Sequence, residues 1–400
     1  LHNHALNLVR LGRTDEAIGA VSVTGLGGDD LANAIMKAEC VPMDSQILTR
    51  RGFKGPNEVG LGEEVLAYDA DADCCRWTPL ENISVFRDVP VSRLGSMGGH
   101  FSIRCTPDHS WAVRRSPGYR PRPADGSRGP RGPYTSRGPT RSLVKASEIR
   151  TSHMLILSAI LDDGDAGSIL TPTEAAILGW AITDGTIQRR GTYRRVGVCQ
   201  SKEVNFPAIR SIMGGATEIV SPATVRTFPM SGRTYRCRPQ HWWYLPSAAS
   251  RDLLNKCGLE TRADLPRIVS QLNWNSRTAM LTAMMSAEGD RRGVFANTDP
   301  FIMETFQILC ALQGVATGKV CTIKGPCFTQ RLKKTRHVAG NFLSLEPDGV
   351  TDVWCPTTRF GTWVMRQNGR VTITGNTKAK RRVTLSICGL GMPDESEVET

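Results

Sequence analysis

The feature that most constrains this chain is an amphipathic helix written in two pieces. Residues 29–39 (DDLANAIMKAE) carry helical periodicity and stop at Cys40 with no capping glycine, and TKAKRRVTLSICGLG begins just as abruptly after Asn376. Joining Glu39 to Thr377 restores one register. Leu31, Ile35, Ala38, Ala379, Val383 and Ile387 then recur at spacings of 4, 3, 4, 4 and 4, one face of a single helix. The 337 residues from 40 to 376 therefore read as an insertion that cuts a host segment and keeps its register.

The end of that insertion suggests how it leaves. Residues 353–377, VWCPTTRFGTWVMRQNGRVTITGNT, read as a β-hairpin with Asn368-Gly369 at the turn and the alternating strand 370–374 after it. The strand ends on Gly375-Asn376-Thr377. An Asn side chain held against its own carbonyl carbon can cyclise to a succinimide and cut the chain, and the hydroxyl of Thr377 can accept an acyl group. Taken alone, Gly-Asn-Thr is an ordinary turn. The matched half-helices shift the balance.

Composition sets the outer limits. Four hundred residues suit two to three domains, and 40% hydrophobic residues can fill real cores. No apolar run reaches a membrane span, and the opening LHNHALNLVR has no signal-peptide pattern, so a cytoplasmic fragment of a longer protein is expected. Twelve cysteines are too scattered for a disulfide framework in a chain this long. A net charge of +12 favours a polyanionic partner, with nucleic acid the first choice.

From Cys40 onward the texture is all-β: short strands at 45–49, 62–69 and 79–86, then 100–111 running into a turn. Residues 114–141 are rich in Arg, Pro and Gly and are expected to form a mobile loop. Near Ser168 a second domain begins. Thr171-Pro172-Thr173-Glu174 is a capping box for the apolar helix AAILGWAITDG, which ends at Asp184. About a hundred residues on, Asn275 or Ser276 is expected to cap RTAMLTAMMSAEG, which ends at Glu288. Aligning the two sets Gly179 against Ala283, Trp180 against Met284 and Gly185 against Gly289. Two such helices can pack closely and bring Asp184 and Glu288 together, and paired carboxylates at a seam are costly unless they hold a cation. Basic strand-forming runs surround them: Arg189, Arg190, Arg194 and Arg195; then Arg226, Arg233, Arg236 and Arg238; then Lys324, Arg331, Lys333, Lys334 and Arg336. Basic β-ribbons suit the DNA major groove, and two carboxylates presenting Mg²⁺ to a phosphodiester can activate water and stabilise the leaving oxygen.

With these residues in view, 40–376 resembles an intein, and its middle resembles a LAGLIDADG homing endonuclease with motifs at LGWAITDG and LTAMMSAEG. The resemblance implies a mixed architecture: an all-β Hint-type splicing domain built from 40–160 and 345–376, with an α+β endonuclease of two pseudo-symmetric repeats inserted at 168–344. Flanking pieces 1–39 and 377–400 would be the exteins. In that family Thr106 and His109 polarise the Glu39–Cys40 peptide bond and Asn376 releases the downstream junction. Trp111, Cys355 and Thr374 resemble the signature of class 3 inteins, in which Cys355 would attack the upstream junction and pass the acyl group to Thr377. The standard route through Cys40 stays open, with Cys355 favoured.

Three departures stand out: a cysteine at position 40, Gly375 where His is common before the terminal Asn, and Glu288 in place of Asp. By resemblance Asp184 and Glu288 would hold Mg²⁺ and cut double-stranded DNA at the insertion site in the host gene. Arg189, Arg190, Arg194, Arg195, Arg233, Arg236, Arg238, Arg331, Lys333 and Lys334 would contact that DNA. The joined flanks resemble phage recombination proteins that anneal single-stranded DNA, in a bacterial or phage-infected cell. The competing reading is a basic DNA-binding protein with a Hint-like fold that neither splices nor cuts. A Hedgehog-type autoprocessing domain is weaker, because those lack a terminal Asn followed by a second extein.

Overall fold

The computed structural model describes residues 39–96, 98–115, 140–164, 167–191, 193–227, 232, 234–322 and 327–375. The two half-helices, most of the 114–141 segment, Arg233, Asn376 and Thr377 lie outside them. The described residues fall into two compact units, one of 39–49, 53–159 and 335–375, the other of 50–52 and 160–334. The boundary read from sequence at 344/345 falls inside a single strand, because the first unit resumes at 335.

The first unit is almost entirely β. Its strands run β1 (Val41–Pro42), β2 (Gln46–Thr49), β3 (Gly52–Lys54), β4 (Glu64–Asp69), β5 (Cys74–Pro79), β6 (Asn82–Ser96), β7 (Ser102–Cys105), β8 (Ser110–Arg115), β9 (Arg141–Lys145) and β10 (His153–Ile156). Four more follow the second unit: β20 (His337–Ala339), β21 (Leu343–Thr357), β22 (Thr362–Gln367) and β23 (Arg370–Gly375). They form sheets ordered β1-β21-β6-β7, β20-β10-β8-β9 and β23-β22-β2-β4-β5. Trp111, Trp354 and Trp363 are among the largest side chains fully buried in this unit. Asn368 and Gly369 take φ of 50° and 70°, the left-handed pair that a tight hairpin turn requires, and β22 pairs with β23 from Gln367↔Arg370 to Thr362↔Gly375.

Either side of the second unit, the chain is closed by direct pairing. β10 and β20 are antiparallel neighbours, and the Leu157 amide donates to the Arg336 carbonyl at 2.9 Å. Strands of the first unit that lie before and after the second unit in sequence thus share one ladder.

The second unit begins with α1 (Pro172–Thr183), capped by Thr171 in a full capping box with Glu174, as read from sequence. There follow β11 (Gly185–Arg190), β12 (Tyr193–Gln200), α2 (Phe206–Ile212), β13 (Thr217–Ser221), β14 (Thr224–Thr227), β15 (Thr234–Cys237), β16 (Gln240–Tyr244) and α3 (Ser247–Cys257). The later part contains α4 (Leu265–Val269), α5 (Trp274–Glu288), β17 (Val294–Asn297), α6 (Pro300–Leu312), β18 (Cys321–Thr322) and β19 (Phe328–Arg331). The N-cap of α5 is Asn273, whose side chain accepts from the Ser276 amide; Asn275 and Ser276, the expected caps, lie inside the helix. The displacement has a tertiary cause: Ser276 is fully buried and its hydroxyl donates to the Leu170 carbonyl at 2.7 Å.

Helices α1 and α5 pack against each other, and Gly179 sets the spacing. A Cβ there would lie 2.8 Å from the Met280 carbonyl oxygen and 3.1 Å from Ala283 Cβ. The two halves that follow are unequal. After α1 comes a four-stranded sheet, β11-β12-β16-β13; after α5 comes a three-stranded one, β17-β19-β18.

Candidate functional site

The upstream junction is built around a turn. Thr106-Pro107-Asp108-His109 links β7 to β8, with the His109 amide donating to the Thr106 carbonyl at 3.1 Å. Pro107 fixes its own φ and favours the turn, leaving Thr106 and His109 facing inward, each 1% exposed. Thr106 grips Cys40 by both peptide groups. Its hydroxyl accepts from the Cys40 amide at 2.8 Å, and its own amide donates to the Cys40 carbonyl at 3.0 Å. The first of these touches the nitrogen of the Glu39–Cys40 bond, the atom that must leave if that bond is broken by acyl transfer.

On the carbonyl side of the same bond stands Cys355. It is buried in β21, and its Sγ lies 3.5 Å from the Glu39 carbonyl oxygen. His109 completes the group. Its Nε2 meets Thr374 Oγ1 at 2.5 Å, and its ring stands edge-on to Trp111 with centroids 5.3 Å apart. Burial pushes the His109 imidazole down to about 4, while the Glu39 backbone beside it acts in the opposite direction. At neutral pH it is therefore uncharged, able to accept a proton at one nitrogen and donate at the other. Cys40, Thr106, His109, Trp111, Cys355 and Thr374 thus form one connected group. Asn376 and Thr377 lie outside the described residues, but Thr374 is only two positions from Asn376.

Two neighbours of this site carried no sequence signal. Cys105 sits buried beside the Trp111 indole, its thiol pushed up to about 12 by burial, with Trp111 acting in the opposite direction. The Ser110 carbonyl presses on Gly375, where a Cβ would lie 2.4 Å from that oxygen. Position 375 thus has room for glycine alone.

In the second unit Asp184 and Glu288 end the paired helices and feel each other's charge. Burial, then the Asp184 charge, pushes the Glu288 carboxyl up to about 7, with Lys202 opposing. Burial raises Asp184 as well, offset by a hydrogen bond from Gln200 Nε2 at 3.0 Å and by Lys202. Gln200 and Lys202 were not singled out in the sequence, where a polar pair closing a strand looks ordinary. Two half-buried carboxylates sharing one lysine form a hard oxygen donor set that a divalent cation fits. No group of three or more metal-ligating side chains occurs among the described residues.

The basic residues are divided among several hairpins. Arg189 is ion-paired with Glu260, and its side chain is 17% exposed. Arg194 turns back onto the Gly191 carbonyl, while the Arg195 guanidinium lies 3.5 Å from the Tyr244 ring centroid. Arg190 and Arg236 stand on β11 and β15, and Arg331, Lys333 and Lys334 lie on and just after β19. Arg238 lines a cleft of about 1000 Å³ together with Lys202, His241 and Arg291. Arg336 belongs to the first unit, where it donates to Asp73 at 2.7 Å.

No family model matches the chain, and no curated protein does. Among solved structures it is similar to a splice-inactive AceL NrdHF class 3 split intein, with 7% identity over 85% of this chain and 99% of that one, at a TM-score of 0.30. It is also similar to a variant of the Ssp DnaB mini-intein, with 7% identity over 85% of this chain and 94% of that one, at a TM-score of 0.27. Overlaps this shallow establish no family, so the chemistry has to be judged from the junction itself. Among the described residues, no helix is long and apolar enough to cross a membrane.

Proposed function

We propose that the chain is a self-splicing precursor, in which residues 40–376 excise themselves and join Glu39 to Thr377. The observation that carries this reading is the treatment of the Glu39–Cys40 peptide: Thr106 holds its nitrogen while the Cys355 thiol contacts its carbonyl oxygen. A structural β-turn has no need of a buried thiol, a neutral histidine and a hydroxyl converging on one peptide bond.

The contact between Cys355 and the Glu39 carbonyl supports the first step. The Cys355 thiol loses its proton and attacks the Glu39 carbonyl carbon; the C–N bond breaks, the Cys40 nitrogen takes up a proton, and Glu39 is left as a thioester on Cys355. His109 stands beside Glu39 and is the group placed to move that proton. The acyl group then passes to the Thr377 hydroxyl, Asn376 cyclises to free the downstream end, and the ester rearranges to a peptide. Cys40 offers the alternative first nucleophile, by shifting its own acyl bond to sulfur. The contact between Cys355 and the Glu39 oxygen favours Cys355.

The second unit is read as a DNA endonuclease. Asp184 and Glu288 would hold Mg²⁺, which supplies Lewis-acid assistance to phosphodiester hydrolysis. Gln200 orients Asp184, Lys202 offsets the paired charge, and Arg194, Arg195, Arg236, Arg238, Arg331, Lys333 and Lys334 supply phosphate contacts on double-stranded DNA. Single-stranded DNA binding would belong to the spliced host protein. The competing reading, a basic DNA-binding protein that does not splice, leaves the junction contacts without a purpose.

The test is expression of the whole chain followed by intact-mass measurement. The expected products are an excised 40–376 and a ligated product in which Thr377 follows Glu39, both absent in Asn376→Ala. An uncleaved wild-type chain under reducing conditions would refute self-splicing.

A further inference from the structure

We propose that Cys40 and Cys355 form a reversible disulfide that locks the upstream junction. This deepens the splicing reading above and rests on it for its consequence, though not for its chemistry.

The argument starts from register. β1 pairs with β21 at Val41↔Trp354 and Pro42↔Val353; extended one residue beyond the end of β1, that register aligns Cys40 with Cys355. Which kind of pair this is can be read from its neighbours. The Met43 amide donates to the Asp352 carbonyl at 3.2 Å, which marks positions 43 and 352 as a hydrogen-bonded pair. Alternation then makes Pro42 and Val353 a non-hydrogen-bonded pair, where a residue lacking N–H fits. By the same alternation, positions 40 and 355 are again non-hydrogen-bonded.

An independent observation agrees. The amide and carbonyl of Cys40 both turn to Thr106, on the side away from β21. Directly opposed residues of this kind have Cα atoms about 4.5 Å apart with side chains on one face, inside the range of about 4.4–6.8 Å that a disulfide spans. Both thiols are buried, so the pair is held together by the sheet.

Dithiol–disulfide exchange balances with oxidised glutathione as the oxidant. The two cysteine thiols give up two protons and two electrons, one Sγ–Sγ bond forms, and the glutathione disulfide is reduced to two thiols. The product removes both candidate nucleophiles in one event. Whichever cysteine acts first, the Glu39–Cys40 bond is then safe until a reductant returns the thiols. The precursor is in this way held intact under oxidising conditions and released under reducing ones.

The experiment uses the full chain carrying Asn376→Ala, which retains the junction. The folded protein is equilibrated with oxidised glutathione, remaining thiols are alkylated, and digested peptides are weighed. Peptides containing Cys40 and Cys355 are expected joined, lighter than their sum by two hydrogens, with Cys40 alkylated instead in Cys355→Ser. Hydroxylamine, which cleaves a thioester without reducing a disulfide, is expected to release residues 1–39 from the reduced chain, not from the oxidised one, and again after a phosphine reductant. Separate alkylation of both cysteines, glutathione on each, or unchanged release from the oxidised chain would overturn the lock. If the cross-link forms but the reduced chain releases nothing, the disulfide stands and the splicing reading fails.

Discussion

His109 stands between the Glu39 backbone and Thr374. Its folded pKa of about 4 lies below the ordinary 6.5, so the unfolded chain binds the extra proton between those values. This contribution to stability is intact above 6.5 and declines as pH falls toward 4. His337, pushed down to about 4 by burial and by Arg336, adds in the same direction. Thermal melts across pH 7 to 4 are expected to show a fall in midpoint that is shallower in His109→Gln; an identical slope would show that the imidazole is not buried as a neutral group. A second residue-scale expectation concerns Gly375. In Gly375→Ala the new methyl meets the Ser110 carbonyl, and a loss of about 1–3 kcal/mol with impaired release at Asn376 is expected from denaturant titration and product analysis. The glycine was visible in the sequence; the need for it was not, because it depends on a strand more than two hundred residues away.

At the scale of elements, the seam between α1 and α5 trades stability for charge. Glu288 is held half-protonated near pH 7 by burial and by Asp184, which costs the fold when the carboxyl ionises. Glu288→Gln is expected to raise stability at pH 8 by about 1 kcal/mol, a value reduced by solvent screening at this half-exposed carboxyl, while abolishing Mg²⁺-dependent cutting. Calorimetry and a plasmid cleavage assay check the two halves of that statement. A buried ion pair underlies the same helix: Arg277, fully buried, donates to Asp163 at 3.0 Å. Asp163→Ala leaves that guanidinium uncompensated and is expected to cost about 3–5 kcal/mol in urea unfolding.

These helices were legible because capping box, apolar run and terminal carboxylate are local signals, and the small residues Gly179 and Ala283 meet as aligned. The start of α5 was not. Asn273, Asn275 and Ser276 are equivalent as local caps, and the choice falls to Ser276's tertiary bond to Leu170. Nor does local pattern give the register of β6 on β21, which joins segments some 260 residues apart, such as Val85↔Trp354.

For the whole molecule, the interrupted helix and the terminal Asn-Thr pointed to the proposed excision, while the convergence on Glu39 needed the fold. Cys40, Thr106–His109 and Cys355 come from three separate stretches of sequence, and the β1-β21 ladder and the β7–β8 turn bring them to one peptide bond, with Thr374 joined through His109. The formal charge of +12 fits the proposed DNA partner but carries no information about that bond. The measurement that tests the central claim most directly is hydroxylamine trapping in the reduced Asn376→Ala chain, repeated with Cys40→Ala and with Cys355→Ala. Attack by Cys355 on the Glu39 carbonyl predicts release of residues 1–39 that survives Cys40→Ala and is lost in Cys355→Ala; release that persists without Cys355 would contradict it.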